Sequence, residues 1–238
     1  KGIKGTLFLN ILEDKDGNMW IGSNEGLNFY NRKTDSFNCY TIAGINITDK
    51  FCSPFYIDDA NNVWVQSGSG IFLFDKRQSK FIKYNSVITG NNIIIKTVPQ
   101  LLYKPLQILV AVSNNSGVLY KGVISGTQIN WQTFSLSLNG ASINTIQLKN
   151  DNCWLGTSKG VYHCNINNPA GCKQEAGAGS ENISYLYIDN NDELWVGTFN
   201  SGLFKANSNG NIQQQFISSA GHGYSLSGNQ VTYIYIDN

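Results

Sequence analysis

Short runs of alternating apolar and polar residues fill most of the chain. Tyr185-Leu-Tyr-Ile-Asp189 is typical, and clusters of Asn, Asp, Gly and Ser separate such runs. A period of two predicts strands with one buried face. The clusters supply the residues that tight turns need. Apolar positions at helical spacing with recognisable caps occur nowhere convincingly, so the pattern predicts an all-β chain.

The runs repeat. GNMWIGSNEGLNFY spans Gly17 to Tyr30, NNVWVQSGSGIFLF Asn61 to Phe74, LQILVAVSNNSGVLY Leu106 to Tyr120, DNCWLGTSKGVYH Asp151 to His163 and DELWVGTFNSGLFK Asp192 to Lys205. Trp20, Trp64, Val110, Trp154 and Trp195 occupy one position in these copies, at intervals of 44, 46, 44 and 41 residues. A period of roughly 40–45 residues is that of a four-stranded propeller blade. Each copy has an apolar first strand, then an amide or acidic turn: Asp16-Gly17, Asn61-Asn62, Asn150-Asp151, Asn191-Asp192. The ring-bearing strand follows, then a turn ending in glycine, then two further strands. Turn residues of this kind tolerate the positive φ of two-residue hairpins.

The pattern predicts a β-propeller of four-stranded antiparallel blades at about 5–42, 51–85, 96–136, 142–176 and 182–217. Val231–Asn238 copies Ile183–Asn190 at an offset of 48 and reads as the first strand of a sixth blade, 230–238. A sequence cut in mid-repeat is expected to be part of a larger propeller. The third copy departs most. Val110 replaces the indole and Lys104-Pro105 the acidic turn, so a smaller side chain is expected to pack there. Along the strand beginning at Leu194, Trp195 and Gly197 share a face, and the same holds for Gly22 and Gly156 in their copies. The bare glycine suits close approach of a neighbouring sheet. Trp20, Trp64, Trp154 and Trp195 therefore read as architecture rather than as sugar platforms.

Composition narrows the function classes. Lys and Arg number 17 against 16 Asp and Glu, a net charge of +1. No imbalance points to nucleic acid or to an anionic membrane. Charged residues make up 14%, against roughly 25% in ordinary soluble domains. No apolar run approaches the ~18 residues of a membrane-spanning helix. The five cysteines form no CxxC pair and only His163 and His222 could join them, which leaves no metal site, and no cofactor motif occurs. Cys164 and Cys172 flank the turn Asn167-Asn168-Pro169. Two readings stand: a disulfide across a hairpin, or five small buried hydrophobes. Asp14-Lys-Asp-Gly-Asn18 imitates a calcium loop, but Met19 stands where such a loop needs glycine. The recurrent acids Asp14, Asp16, Asp58, Asp59, Asp189 and Asp192 read as turn caps.

The run G/N-x-x-W-x-G-T/S followed by G-L/V/I, together with the connector Gly223-Tyr-Ser-Leu-Ser-Gly-Asn-Gln-Val231, resembles the two-component regulator propeller repeat. The resemblance is strongest in the first and fifth copies and weakest at 91–150. It implies the periplasmic sensor part of a Bacteroides-type hybrid two-component system that responds to oligosaccharides and regulates polysaccharide utilisation. It also implies further blades, a β-sandwich, a membrane helix and a kinase, and leaves room for a homodimer. Neither catalysis nor a cofactor is implied.

Strand order gives two faces. The turns after the first and third strands share one. The turns after the second strand share the other with the long connectors, where binding usually sits. Glu25, Lys159, Phe199, Asn200, His222 and Tyr224 are the ligand-binding candidates of that connector face. An aromatic ring suits a sugar's C–H face, and Asn, Glu and His suit its hydroxyls. The plainer alternative is that Phe199 packs under its own loop and the others are solvated. A protein-interaction propeller is the competing function, and a propeller glycoside hydrolase or lyase the third. The latter needs two carboxylates about 5–10 Å apart, whereas Glu25, Asp49, Glu175 and Glu181 come from separate copies.

Overall fold

The computed structural model describes residues 2–42, 50–84, 93–97, 107–112, 117–175, 181–219 and 225–235, and only the backbone at 93–97, 107–112 and 169–170. Among them there is no helix. The strands are β1 (Phe8–Glu13), β2 (Met19–Ser23), β3 (Gly26–Asn31), β4 (Ser36–Tyr40), β5 (Ser53–Ile57), β6 (Val63–Ser67), β7 (Gly70–Asp75), β8 (Lys80–Tyr84), β9 (Ile93–Thr97), β10 (Gln107–Val112), β11 (Val118–Ser125), β12 (Gln128–Ser135), β13 (Ile143–Lys149), β14 (Asn152–Thr157), β15 (Gly160–Asn165), β16 (Asn168–Gln174), β17 (Ile183–Ile188), β18 (Leu194–Thr198), β19 (Leu203–Ala206) and β20 (Ile212–Phe216). They form five four-stranded sheets, each in chain order, which are the blades of a β-propeller. Residues 1–97 with 122–130 form one compact unit, and 98–121 with 131–238 a second. The first holds β1–β8 and the second β13–β20.

The first and fifth tryptophan strands are fixed by the turn before them. Asp14 Oδ1 accepts the N–H groups of Asp16 (3.0 Å) and Asn18 (2.9 Å), while Oδ2 accepts Trp20 Nε1–H at 3.0 Å. Asp189 repeats this with Asn191 N, Glu193 N and Trp195 Nε1, each at 2.9 Å. One carboxylate six residues before the ring thus caps the hairpin and satisfies the indole. Asp58 caps its own turn through Asn62, but Trp64 Nε1 is buried without a hydrogen-bond partner among the described residues. Asp16, Asp59 and Asp192 serve otherwise. They pair with Lys76, Lys15 and Lys149, respectively.

The residue after the Trp–x–Gly run closes the next turn. Ser23 Oγ, Thr157 Oγ1 and Thr198 Oγ1 donate to the carbonyls of Gly26, Gly160 and Gly202 at 3.0, 2.7 and 2.8 Å. Gly26 and Gly160 take φ of 135° and 103°, a region that favours glycine.

Blades stack through the bare glycines. In the first unit β5 packs beside β1 and β2, and in the second β17 packs beside β13 and β14. A side chain on Gly22 would strike the Cys52 carbonyl and Pro54 Cδ; one on Gly156 would meet Ile183 Cγ2 at 2.6 Å and one on Gly197 Val231 Cγ1 at 2.9 Å. Backbone bonds of one type accompany these contacts, Cys52 N to Ser23 O at 3.1 Å and Val231 N to Thr198 O at 2.9 Å. Val231 therefore seats on the fifth blade as Ile183 seats on the fourth. Residues 231–235 nevertheless join no ladder among the described residues, unlike the strand expected there, because a ladder needs a second strand beside the first. The strand positions equivalent to Phe8 are buried (Cys52, Ile143 and Ile183, all 1% exposed or less), whereas Phe8 is 42% exposed and Ile11 54%. The third copy's Val110 packing and Lys104-Pro105 turn lie outside the described side chains.

Cys164 and Cys172 are joined by a disulfide. The turn falls at Ile166-Asn167, earlier than the cysteine symmetry implies, and a register shift between His163 and Asn165 brings the two sulfurs together. Cys52 and Cys153 are buried and stand outside the disulfide.

Lys76 completes the first blade's Asp14 site from the second blade, with Nζ 2.8 Å from Oδ2 and 5.8 Å from the Trp20 ring. Burial acts to raise the Asp14 pKa, but the hydrogen bonds from Lys76, Trp20 and Asn18 outweigh it and hold the carboxyl below its ordinary value. At Asp189 burial is likewise overcome, by the bonds from Trp195, Glu193 and Asn191. A carboxyl with a depressed folded pKa stabilises the fold above its unfolded value, near 3.9. That stabilisation is lost as pH falls through the folded value. The melting temperature should therefore fall as pH drops below about 4, and Asp14→Asn should be less stable at pH 7 with a shallower acid slope. An unchanged slope would remove Asp14 from that role. Trp20→Phe should cost about 1–3 kcal/mol more than Trp64→Phe in chemical denaturation, because only Trp20 leaves a buried acceptor short of a donor. Equal losses would contradict the bond assignment.

Candidate functional site

The connector face of the second unit is organised around Glu181 and Asn182, which precede β17. Gly160 N donates to Glu181 O at 2.7 Å, and Phe199 N donates to Asn182 O at 3.0 Å. Ser201 Oγ donates to Glu181 Oε2, and Asn144 Nδ2 bonds Asn182 Oδ1 at 2.9 Å. The connector thus ties the turn carrying Lys159 to the turn carrying Phe199 and Asn200. Their tightness follows from the hydroxyl–glycine closures at Thr157 and Thr198.

On this frame Phe199 is 36% exposed and Asn200 is exposed. Lys159 is also exposed, and its Nζ donates to Asn139 O at 2.8 Å. An open ring, an amide, an ammonium and a carboxylate therefore lie on adjoining turns. That set can offer an apolar surface with donors and acceptors at its rim.

Glu25 belongs to the other unit, where its Oε2 lies 3.4 Å from Lys50 Nζ. His222 and Tyr224 lie outside the described residues. The acids show no pairing of the glycosidase kind. Glu25 pairs with Lys50, Glu181 bonds Ser201, and Glu175 lies 3.8 Å from His163 Nδ1; Asp49 is outside the described residues. Among the described residues no group of three or more His, Cys, Asp or Glu could hold a metal ion.

Sequence reasoning missed Glu181 and Asn182 as organisers. Both stand just before the first strand of a repeat, beyond the periodic part, and their bonds run mostly through the backbone. The equivalence of Asn182 to the residue before Cys52 and Val231 could have placed this position beside the preceding blade's turn.

Two stretches, 2–25 and 177–200, match the model of the two-component regulator propeller family. Both contain the turn before a tryptophan strand or the strand itself. No curated protein sequence matches the chain. Among solved structures, the extracellular domain of a hybrid two-component system of B. thetaiotaomicron is similar, with 21% identity and a TM-score of 0.72, over 100% of this chain and 32% of that one. A second such extracellular domain from B. thetaiotaomicron gives 19% identity and a TM-score of 0.52, over 100% of this chain and 36% of that one. PorZ, a surface component of the type-IX secretion system of Porphyromonas gingivalis, gives 14% identity and a TM-score of 0.70, over 96% and 36%. The chain spans about a third of the length of each of these proteins. At these identities the likeness concerns the fold.

Proposed function

We propose that the chain is part of the extracytoplasmic, ligand-sensing propeller of a two-component sensor and that the sensor recognises an oligosaccharide to regulate polysaccharide utilisation. The observation that carries the reading is the regulator-propeller match at 2–25 and 177–200. The two similar extracellular domains are parts of signalling proteins of that kind. The Cys164–Cys172 disulfide supports a compartment outside the reducing cytosol. The remaining blades, a membrane helix and a kinase would belong to the rest of the sensor. The site favoured for the ligand is the Lys159–Phe199–Asn200 group on its Glu181–Asn182 connector. Glu25, His222 and Tyr224 stay as candidates on the connector face. Catalysis is not part of the reading, because Glu25, Glu175 and Glu181 each have a different, non-carboxylate partner.

A thermal-shift panel of oligosaccharides against the intact ectodomain tests this. One oligosaccharide should raise the melting temperature, by about 2.7 kcal/mol of stabilisation at a hundredfold excess over Kd. Phe199→Ala should weaken that response at least tenfold with little effect on the unliganded melting temperature. Trp195→Ala, by contrast, should destabilise the blade by about 3–5 kcal/mol. No response to any sugar, together with capture of a defined protein partner, would replace the sensing reading by a protein-interaction propeller.

A further inference from the structure

The opposite face of the second unit holds a cavity that no structural repeat requires. It has a volume of about 180 Å³ and is lined by Lys149, Asn150, Asn152, Trp154, Ile188, Asp192, Leu194 and Ser208. Three hairpin turns surround it, β13–β14, β17–β18 and β19–β20, so it lies between the fourth and fifth blades on the hairpin side.

Its location has a cause in the repeat. The first and fifth blades place an aspartate six residues before the tryptophan, where it binds the indole N–H. The fourth blade's hairpin is shorter: Trp154 pairs with Gln147 as Trp195 pairs with Tyr187, so Lys149 stands where the fifth blade carries Asp189. The carboxylate that fills this place in its neighbours is missing, and Trp154 lines an opening instead. The indole is held in its plane from the other side by His163, whose ring stacks on it at 3.9 Å and 8°. His163 Nε2 in turn bonds Asn152 Oδ1 at 2.9 Å. Gly210 permits this packing, since a side chain there would meet Trp154 Cζ3 at 3.0 Å and Glu175 Cγ at 2.8 Å.

The lining specifies a class of ligand. Ile188 is partly exposed, while Trp154 and Leu194 behind it are 3% and 2% exposed, so the apolar floor is small. Asn150 and Asn152 offer amide donors and acceptors, and Ser208 a hydroxyl. Lys149 and Asp192 are ion-paired with each other, and Lys149 Nζ also donates to Asp189 O at 3.0 Å. The rim is therefore electrically neutral and favours neither anion nor cation. The volume is that of roughly six waters at about 30 Å³ each, the scale of one hydroxylated six-membered ring.

We propose that this cavity is a second binding site, which takes a single neutral, hydroxyl-rich ring over Ile188 at the margin of Trp154, with its hydroxyls on Asn150, Asn152, Asp192 and Ser208. The ring chemistry comes from the lining; the source of the ring, a free monosaccharide or the end residue of an oligosaccharide, rests on the sensing reading. The two faces are reached separately, so binding here does not engage Phe199.

The chain has two histidines, so the ring protons of His163 give a local NMR probe. Titration with neutral monosaccharides, their methyl glycosides, myo-inositol, glucuronate and oligosaccharides should shift the His163 signals for a neutral ring. Burial already holds the His163 pKa below its ordinary value, against a smaller opposing pull from Glu175. A ring closing over Asn152 should lower the midpoint further. Ser208→Trp, a change at an exposed turn position, should weaken binding at least tenfold. Asn150→Gly should do so to a smaller degree, since glycine accepts the φ of 54° found there. Tighter binding of the free monosaccharide than of its glycosides assigns the first source, and tighter binding of oligosaccharides the second. Sugar binding that leaves His163 unmoved, ignores both variants and is lost in Phe199→Ala overturns the cavity proposal and leaves the sensing reading in place. Preference for glucuronate overturns the ligand class, and no binding of any sugar overturns both readings.

Discussion

A carboxylate bonded to an indole N–H is the contact that orders the first and fifth blades. Asp14 and Asp189 each serve two backbone amides of the hairpin and one ring N–H of the following strand. The turn and the strand cannot shift independently while that group holds both. The tryptophan so fixed sets the position of the glycine two residues on, and that glycine receives the next blade. In these two blades the glycine contact follows the turn-capping bond, whereas the fourth blade keeps the same contact without it. The thermodynamic weight is plausible on general grounds, since hydrogen bonds to a charged group contribute about 1.5–3 kcal/mol each.

The copies differ in how much of this arrangement they keep. The first blade adds Lys76 from its neighbour, a half-buried partner for a buried carboxylate. The second keeps the aspartate as a cap but leaves Trp64 Nε1 without a partner. The fourth has no aspartate at that place, stacks its tryptophan on His163 and leaves a cavity. The fourth blade is joined to the fifth instead by Lys149, which reaches both Asp189 O and Asp192. Linkage between blades on the hairpin side is conserved in kind, lysine to a turn of its neighbour, although the residues that supply it move.

Most of the fold was legible because a propeller repeats its own evidence. Five copies of one pattern at near-equal intervals identify the blade, and the bare Gly22, Gly156 and Gly197 announce the stacking contacts. The six-residue spacing of Asp14 to Trp20 and Asp189 to Trp195 was equally present, yet turn capping explained these acids well enough to hide their second bond. The hydroxyl after the glycine was visible as Ser23, Thr157 and Thr198, but its partner carbonyl lies across a turn whose length varies. The candidate site was less legible. Lys159 and Phe199 sit 40 residues apart, and they are related through Glu181 and Asn182, largely by backbone bonds together with Ser201 Oγ to Glu181. Such bonds leave no mark on residue type. The disulfide stayed undecided for a related reason: a register shift, not the symmetry of the cysteines about a turn, brings Cys164 against Cys172.

The same strand, β14, runs between the two faces. Trp154 stands at the cavity, Gly156 receives Ile183 of the next blade, and Thr157 closes the turn that carries Lys159. These positions span three residues, about 10 Å of extended chain. Trp154 and the Thr157 closure therefore flank the seat of Ile183 on Gly156, a glycine contact with no spare room. Close packing of this kind transmits strain rather than absorbing it. The fifth blade's first strand lies against that contact, and the connector Glu181–Asn182 leads into it.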